Sequence, residues 1–159
     1  MAQKLSKKSK LAVKPIKTVP VKKGLLAMPK DFTQSLGRRK TAVARVRIWP
    51  GKQEIVVNGK PISTYFKGDV FKKIYNSPFL VTETLGKYTG SVKVAGSGLM
   101  SQVDALVHGV ARALVKIDTD SYKQILRDKG LLTRDPRMKE TRKVGQGGRA
   151  RAKKQSPKR

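Results

Sequence analysis

The chain has 159 residues and a formal net charge of +27, with 37 Lys and Arg against 10 Asp and Glu. Soluble domains of this size usually carry a net charge of about 2–8, so an excess this large calls for a polyanionic partner. The absence of cysteine excludes a disulfide framework and a thiolate metal site, and the single histidine excludes a His-rich zinc site. Nucleic acid is favoured over an anionic membrane, because neither terminal segment has the one-sided apolar pattern of a membrane-surface helix.

Charge and hydrophobicity divide the chain into three segments. Residues 1–36 form a Lys-rich extension, residues 37–132 a globular RNA-binding domain, and residues 133–159 an extended basic C-terminal tail. The two terminal segments hold too little apolar surface to offset the entropy of ordering them. We therefore predict long, basic, disordered N- and C-terminal tails that become ordered on RNA.

The first half of the domain reads as strands. Residues 41–49 alternate, which predicts a half-buried strand with Arg45 and Arg47 on its outer face. Turn residues follow, and residues 54–58 predict a second strand that forms a hairpin with the first. Asn58-Gly59 predicts a further turn.

The second half reads mainly as helices. Residues 62–66 and 70–75 predict short helices, and residues 88–95 predict a strand. A long helix follows, with Ser101 or Ser97 as its N-cap. Its apolar stripe consists of Val103, Leu106, Val107, Val110, Ala111, Leu114 and Val115.

A last helix is predicted to bury Tyr122, Ile125 and Leu126 and to end at Gly130. Strands that precede helices indicate an α+β domain, a sheet with helices on one face.

Two features invite comparison with enzymes. Gly96-Ser97-Gly98 is either a phosphate-binding turn or a tight turn that lets the helix pack on the sheet, and spacing alone leaves both open. It matches neither the P-loop nor the dinucleotide motif. His108 reads more readily as a packed or surface histidine than as a catalytic one. Since acidic ligands for Mg²⁺ are scarce, we expect neither an enzyme, such as a small-molecule kinase, nor a cofactor.

Basic residues surround the first strand and follow the last helix. We expect Asp135 to accept hydrogen bonds from neighbouring backbone N–H groups, so that Arg134 and Arg137 project toward phosphate. The candidate RNA-binding residues of the domain are Arg38, Arg39, Lys40, Arg45 and Arg47.

Taken together, these segments resemble the bacterial-type small-subunit ribosomal protein S-nine family. The resemblance covers residues 37–159 and rests on GRRKTAVARVRIWPG, IVVNGK, GSGLMSQVDALVHGVARAL and GLLTRDPRMKETRKVG, in the order of the family. It implies a two-layer α/β sandwich, similar to the second domain of ribosomal protein S-five, with a left-handed βαβ crossover that departs from the usual handedness. The chain differs from the family's usual GGGxSGQ in the loop at 96–102, and Pro157 stands near its end.

The resemblance also implies a function. It implies a structural constituent of the small subunit that binds 16S-type ribosomal RNA in the subunit head, beside other head proteins, while its tail reaches P-site tRNA. The ribosome would be that of the bacterial cytoplasm, or alternatively of a plastid or mitochondrion. By position, Lys158 and Arg159 match the tip that contacts tRNA. The RNA-bound tail residues are matched by Arg134, Arg137, Arg142, Lys143, Arg149, Arg151, Lys153 and Lys154. From the residues alone, a free nucleic-acid-binding or chaperone-like protein remains the alternative.

Overall fold

A computed structural model of the protein describes residues 29–141. The disorder predicted for the tails falls largely on residues 1–28 and 142–159, which lie outside the described residues. Within the described part, nine elements follow one another. They are β1 (Thr33–Arg39), β2 (Ala42–Pro50), β3 (Val56–Val57), β4 (Lys60–Pro61), α1 (Ile62–Tyr65), α2 (Asp69–Val81), β5 (Tyr88–Ala95), α3 (Leu99–Ile117) and α4 (Thr119–Asp128).

The strands form one sheet in the order β1-β2-β5-β3-β4. β2 pairs antiparallel with β1 and with β5, whereas β3 runs parallel to β5. The predicted hairpin between residues 41–49 and 54–58 is therefore wrong, because β5 lies between these two strands. β5 pairs with β2 along its whole length, from Val43 opposite Ala95 to Pro50 opposite Tyr88, and the two-residue β3 cannot compete with that.

Two other hairpins are present. Asn58 and Gly59 connect β3 to β4 with φ values of +49° and +80°, the pair of positive angles that a tight two-residue hairpin requires. Lys40, with φ of +50°, lies in the turn that connects β1 to β2. β1 begins at Thr33, inside the segment that the sequence assigned to the extension, because its first residues carry little apolar signal.

The core lies between the sheet and α3, which packs on β1, β2 and β5, while α2 and α4 pack against α3. Leu106 and Leu114 of α3 are fully buried, and Val107 is 7% exposed. The inward face of β2 is also buried, with Val46 at 0% and Ile48 at 1% exposure. The predicted two-layer α+β sandwich, with its long apolar helix in the core, is confirmed.

Glycine permits an unusually close approach of α3 to β1. A Cβ placed on Gly37 would overlap the backbone of Ala105 and Gly109. Ser35 in the same strand donates from Oγ to the Gly109 carbonyl at 2.5 Å. The helix and the strand thus meet through their backbones at Gly37 and through the Ser35 side chain beside it.

The polar side of α3 covers the free edge of β1. Arg112 donates from Nη1 to the Leu36 carbonyl at 2.6 Å, and Lys116 donates from Nζ to the Gln34 carbonyl at 2.8 Å. β1 is one of the two outer strands of the sheet, and exposed strand edges pair readily with other chains. The two cations one helical turn apart therefore satisfy edge carbonyls of β1.

The helix ends agree with the sequence prediction only in part. α3 is capped by Gly98 without a side-chain hydrogen bond, so neither Ser101 nor Ser97 is the N-cap. Ser101 lies in the first turn of α3 and is 6% exposed, and Ser97 has a φ of +52°. The helix thus begins after an extended glycine and without a capping side chain.

The last helix is anchored by Leu126, which is fully buried. Ile125 is 44% exposed, so its predicted burial is wrong; it lies beside the stripe that faces α3. Gly130, with φ of +68°, ends the helix as predicted, and its N–H bonds the Arg127 carbonyl at 2.9 Å.

Candidate nucleic-acid interface

The sheet presents a basic outer face. Because the inward side of β2 packs on α3, Arg45 and Arg47 lie on the opposite side, as the alternation predicted. Lys93 of β5 lies directly across from Arg45 in the antiparallel register, and both side chains are exposed. β1, β2 and β5 contain no acidic residue. We call this surface the open sheet face.

Like charges directly opposite one another across two strands destabilise a sheet. The Arg45–Lys93 pair therefore carries a cost in the free protein that an anion lying across both strands would remove. Arg47 is half-buried, and its guanidinium carbon lies 5.3 Å from the centre of the Phe32 ring, within the range of a cation–π contact. Arg38 is exposed at the end of β1, and Lys40 is exposed in the turn that follows.

Arg39 lies on the other side of β1 and contacts the start of the tail. Its side chain is 17% exposed, with Nη2 at 3.0 Å from Asp135 Oδ2 and Nε at 3.5 Å from Asp104 Oδ2. Its Nη1 donates to the Arg137 carbonyl at 3.2 Å. The candidate RNA-binding residue Arg39 therefore has its donors directed at protein groups.

Asp135 forms the turn that the sequence predicted. Its Oδ1 accepts the Arg137 backbone N–H at 2.9 Å, and its two oxygens accept Nε and Nη2 of the Arg137 side chain. These side-chain bonds, followed by the backbone bond, hold the pKa of Asp135 well below its usual range. Arg137 is 84% exposed, and Arg134 is also exposed. The turn thus keeps both arginines at the surface while one of them pairs with Asp135.

A shallow pocket of about 330 Å³ separates β1 from the residues after α4, and Arg39, Asp104 and Arg134 line it. His108 lies in its wall, where Nδ1 accepts the Arg38 backbone N–H at 3.3 Å. Burial, and after it the nearby Arg112, lowers the pKa of His108. The histidine is a packed one that connects elements, as the more favoured interpretation of the sequence held.

The glycine loop is explained by packing. Gly96 has φ of +83°, and a Cβ there would overlap the Thr41 carbonyl. Gln102 Nε2 donates to the Gly96 carbonyl at 3.1 Å and closes the loop onto α3. Both contacts favour the tight-turn interpretation of Gly96-Ser97-Gly98. Residues 29–141 contain no group of three acidic, His or Cys side chains arranged to hold a metal ion.

Two features of this surface were missed from the sequence. Lys93 was not among the candidates, although its place between the buried Val92 and Val94 marks it as outward-facing. The Arg39–Asp104–Asp135 cluster joins residues from β1, α3 and the tail, and no local pattern connects them. The rest of the predicted tail set lies outside the described residues, namely Arg142, Lys143, Arg149, Arg151, Lys153, Lys154, Lys158 and Arg159.

Comparison with known proteins gives two findings. The family model described as "Ribosomal protein S9/S16" matches residues 37–159. The "Small ribosomal subunit protein uS9" of Maridesulfovibrio salexigens is 48% identical over 132 residues, which cover 83% of this chain and 100% of that protein. Among residues 29–141, no helix is long and apolar enough to cross a membrane.

Proposed function

The chain belongs to the ribosomal protein S9/S16 family, and from this premise we propose that it binds 16S-type ribosomal RNA in the head of the small subunit. A member of this family is a structural constituent of the ribosome and not an enzyme. The bacterial relative supports a place on the ribosome of the bacterial cytoplasm. That its neighbours are other proteins of the subunit head is what the resemblance to the family implies. The division into residues 1–36, 37–132 and 133–159 remains part of this proposal.

The acid-free open sheet face is the observation that carries RNA binding. Arg45 and Lys93 oppose each other there with no carboxylate on the three longest strands to neutralise them. RNA phosphates would remove this repulsion and release their condensed counterions on contact. Arg38 and Arg47 widen the same surface. The predicted tail cations, from Arg134 onward, add a second, extended contact.

The test is the salt dependence of RNA binding by the full chain. If six or more phosphates are neutralised, affinity for a 16S head fragment should fall on the order of 10³-fold between about 50 and 200 mM salt. Arg45→Gln and Lys93→Gln should each reduce the slope of log affinity against log salt by about 0.7–0.9. Arg127→Gln is the matched control, because Arg127 is exposed on α4, away from this face. A flat salt response would contradict the proposal.

We further propose that Lys158 and Arg159 contact P-site tRNA. The support is the resemblance to the family together with reach, since residues 142–159 would span about 60 Å if fully extended. Two charges are a small part of a net +27. Their loss should therefore change the affinity for tRNA more than the affinity for ribosomal RNA.

Truncation separates these two roles. Deleting Lys158 and Arg159 should weaken P-site tRNA binding by roughly tenfold or less, because a charge-assisted contact contributes about 1 kcal/mol. It should leave protein occupancy in purified subunits unchanged. Deleting the tail from Arg134 should instead lower occupancy. The tRNA role fails if the short deletion lowers occupancy, or if it leaves tRNA binding unchanged.

A free nucleic-acid-binding or chaperone-like protein would share the same basic surfaces. Co-sedimentation after a high-salt wash distinguishes the two functions. The proposed subunit constituent stays with the 30S-type particle, whereas a free RNA-binding protein is released.

A further inference from the structure

We propose that Arg39 sets the direction in which the C-terminal tail leaves the domain, acting as a positioning residue and not as a phosphate ligand. The proposal rests on the proposed function in one respect, namely that the tail has a defined RNA target. Its structural part is that Arg39 holds the start of the tail, from Asp135 to Arg137, which we call the tail root. This part can be tested in the protein without RNA.

The geometry uses the whole guanidinium. Nε faces Asp104 of α3 at 3.5 Å, Nη2 faces the Asp135 carboxylate at 3.0 Å, and Nη1 donates to the Arg137 carbonyl at 3.2 Å. Each nitrogen thus addresses a different group, and the side chain is only 17% exposed. The guanidinium spreads its donors over three nitrogens in a fixed plane and so fixes three groups in one arrangement, whereas a lysine has all its donors on one nitrogen at the end of a flexible stem.

Charge repulsion explains why the tail root needs these contacts with Arg39, which we call the clamp. The residues that follow α4 are basic, and so is the neighbouring surface of β1, so the start of the tail is repelled from the domain to which it is attached. Asp135 pairs with Arg39 and brings this segment back to β1, while Asp104 of α3 contacts the same guanidinium from the helix. Leu131 and Leu132, which pack partly on the core, are the last apolar anchors before Asp135.

The position of the root matters because the remaining tail has little apolar surface to guide it. A flexible segment reaches a target with an effective concentration that depends on where the segment is attached. If the root at Asp135 is released, the tail searches a larger volume and its tip meets the target less often. Loss of Arg39 should therefore weaken a contact made by residues that Arg39 never touches.

The chain contains no cysteine, so a nitroxide attached at Lys139→Cys reports on the tail root alone. In the otherwise unchanged full chain we expect a restricted label. In Arg39→Gln, Arg39→Lys and Asp135→Asn its mobility should approach that of the urea-unfolded chain. Arg127→Gln is the control, since Arg127 lies exposed on α4 and has no side-chain hydrogen bond or ion pair within residues 29–141. Thermal melts verify that each variant is folded.

Asp135→Asn keeps the test decisive if Arg39→Gln does not fold, because Asp135 lies after the last helix and outside the sheet. The clamp is refuted if the label is already fully mobile in the unchanged chain, or if Asp135→Asn leaves it restricted.

A second measurement concerns function. Subunits that carry Arg39→Lys or Asp135→Asn, with the tip intact, should keep full protein occupancy but bind P-site tRNA severalfold more weakly. If deleting the tip has no effect on tRNA while the label becomes mobile, the tRNA role fails and the clamp stands. If the label stays restricted, the clamp fails while RNA binding by the open sheet face is unaffected.

Discussion

Gly37 is the position at which one added methyl group should damage the fold most. The change is Gly37→Ala. The new Cβ would overlap the Ala105 carbonyl oxygen and the Gly109 amide nitrogen, and it would lie 2.9 Å from the Gly109 Cα. All three are backbone atoms of α3, so no side-chain rotation can relieve the overlap. The helix and the strand must move apart.

The size of the effect follows from the contact distance. Non-bonded atoms pack at about 3.5–4.0 Å, and the Ala105 oxygen would lie closer to the new Cβ than the Gly109 Cα does, so α3 has to retreat from β1 by more than about 1 Å. A gap of about 0.5–1 Å forfeits a quarter to a half of the dispersion attraction, and α3 contributes ten buried residues to the core. Overpacking usually costs about 1–3 kcal/mol. We expect about 3 kcal/mol here, which would lower the Tm of a domain near 100 residues by roughly 12–24 °C.

Thermal unfolding of the full chain, followed by circular dichroism at one salt concentration, measures this. Gly98→Ala is the matched control, because Gly98 has φ of −95° and no atom lies within 4 Å of its would-be Cβ. It should change stability by no more than about 1 kcal/mol. If Gly37→Ala melts within about 4 °C of the control, the close contact between β1 and α3 is not what stabilises this domain.

Three further predictions concern α3. Leu106→Ala should cost about 2–5 kcal/mol in urea unfolding, through lost burial and a cavity, whereas Ile125→Ala, exposed on α4, should cost much less. Replacing Arg112 and Lys116 together with Ala should uncover the edge of β1 and produce concentration-dependent association in light scattering, which a still monomeric variant would contradict. His108 binds protons less readily when folded, so its contribution to stability should fall as pH drops below about 6.5. His108→Gln should lack that slope, and equal slopes in both proteins would refute the assignment.

Several elements could be predicted from the sequence because their signal is local. β2 alternates in its burial, and the stripe of α3 recurs at helical spacing, so each indicates its own buried side. Gly130 marks the end of α4, since its left-handed backbone suits glycine. In these cases one segment contains both the pattern and its structural cause.

The predictions from the sequence were wrong where the structure depends on contacts between segments that are distant in the chain. β1 became a strand because β2 offers seven facing residues and α3 covers its free edge, although Thr33, Gln34 and Ser35 signal little by themselves. β5 separates β2 from β3 because long antiparallel pairing outweighs proximity in sequence. The predicted capping serines were wrong because Gly96 packs closely on the Thr41 backbone and α3 then begins after the extended Gly98, without a capping side chain.

The net charge of the chain overstates the number of cations that can contact RNA phosphates. Arg39, Arg112 and Lys116 are all basic, but each directs its donors at protein carbonyls or carboxylates. Arg45 and Lys93 differ from these three, because they lie on the open sheet face and repel each other until an anion arrives. One set of cations therefore holds β1 and the tail root in place, while the other set leaves an unfavourable charge pair that RNA can relieve. The slope of affinity against salt should accordingly follow the second set, and neutralising a residue of the first set should change stability or tail mobility before it changes that slope.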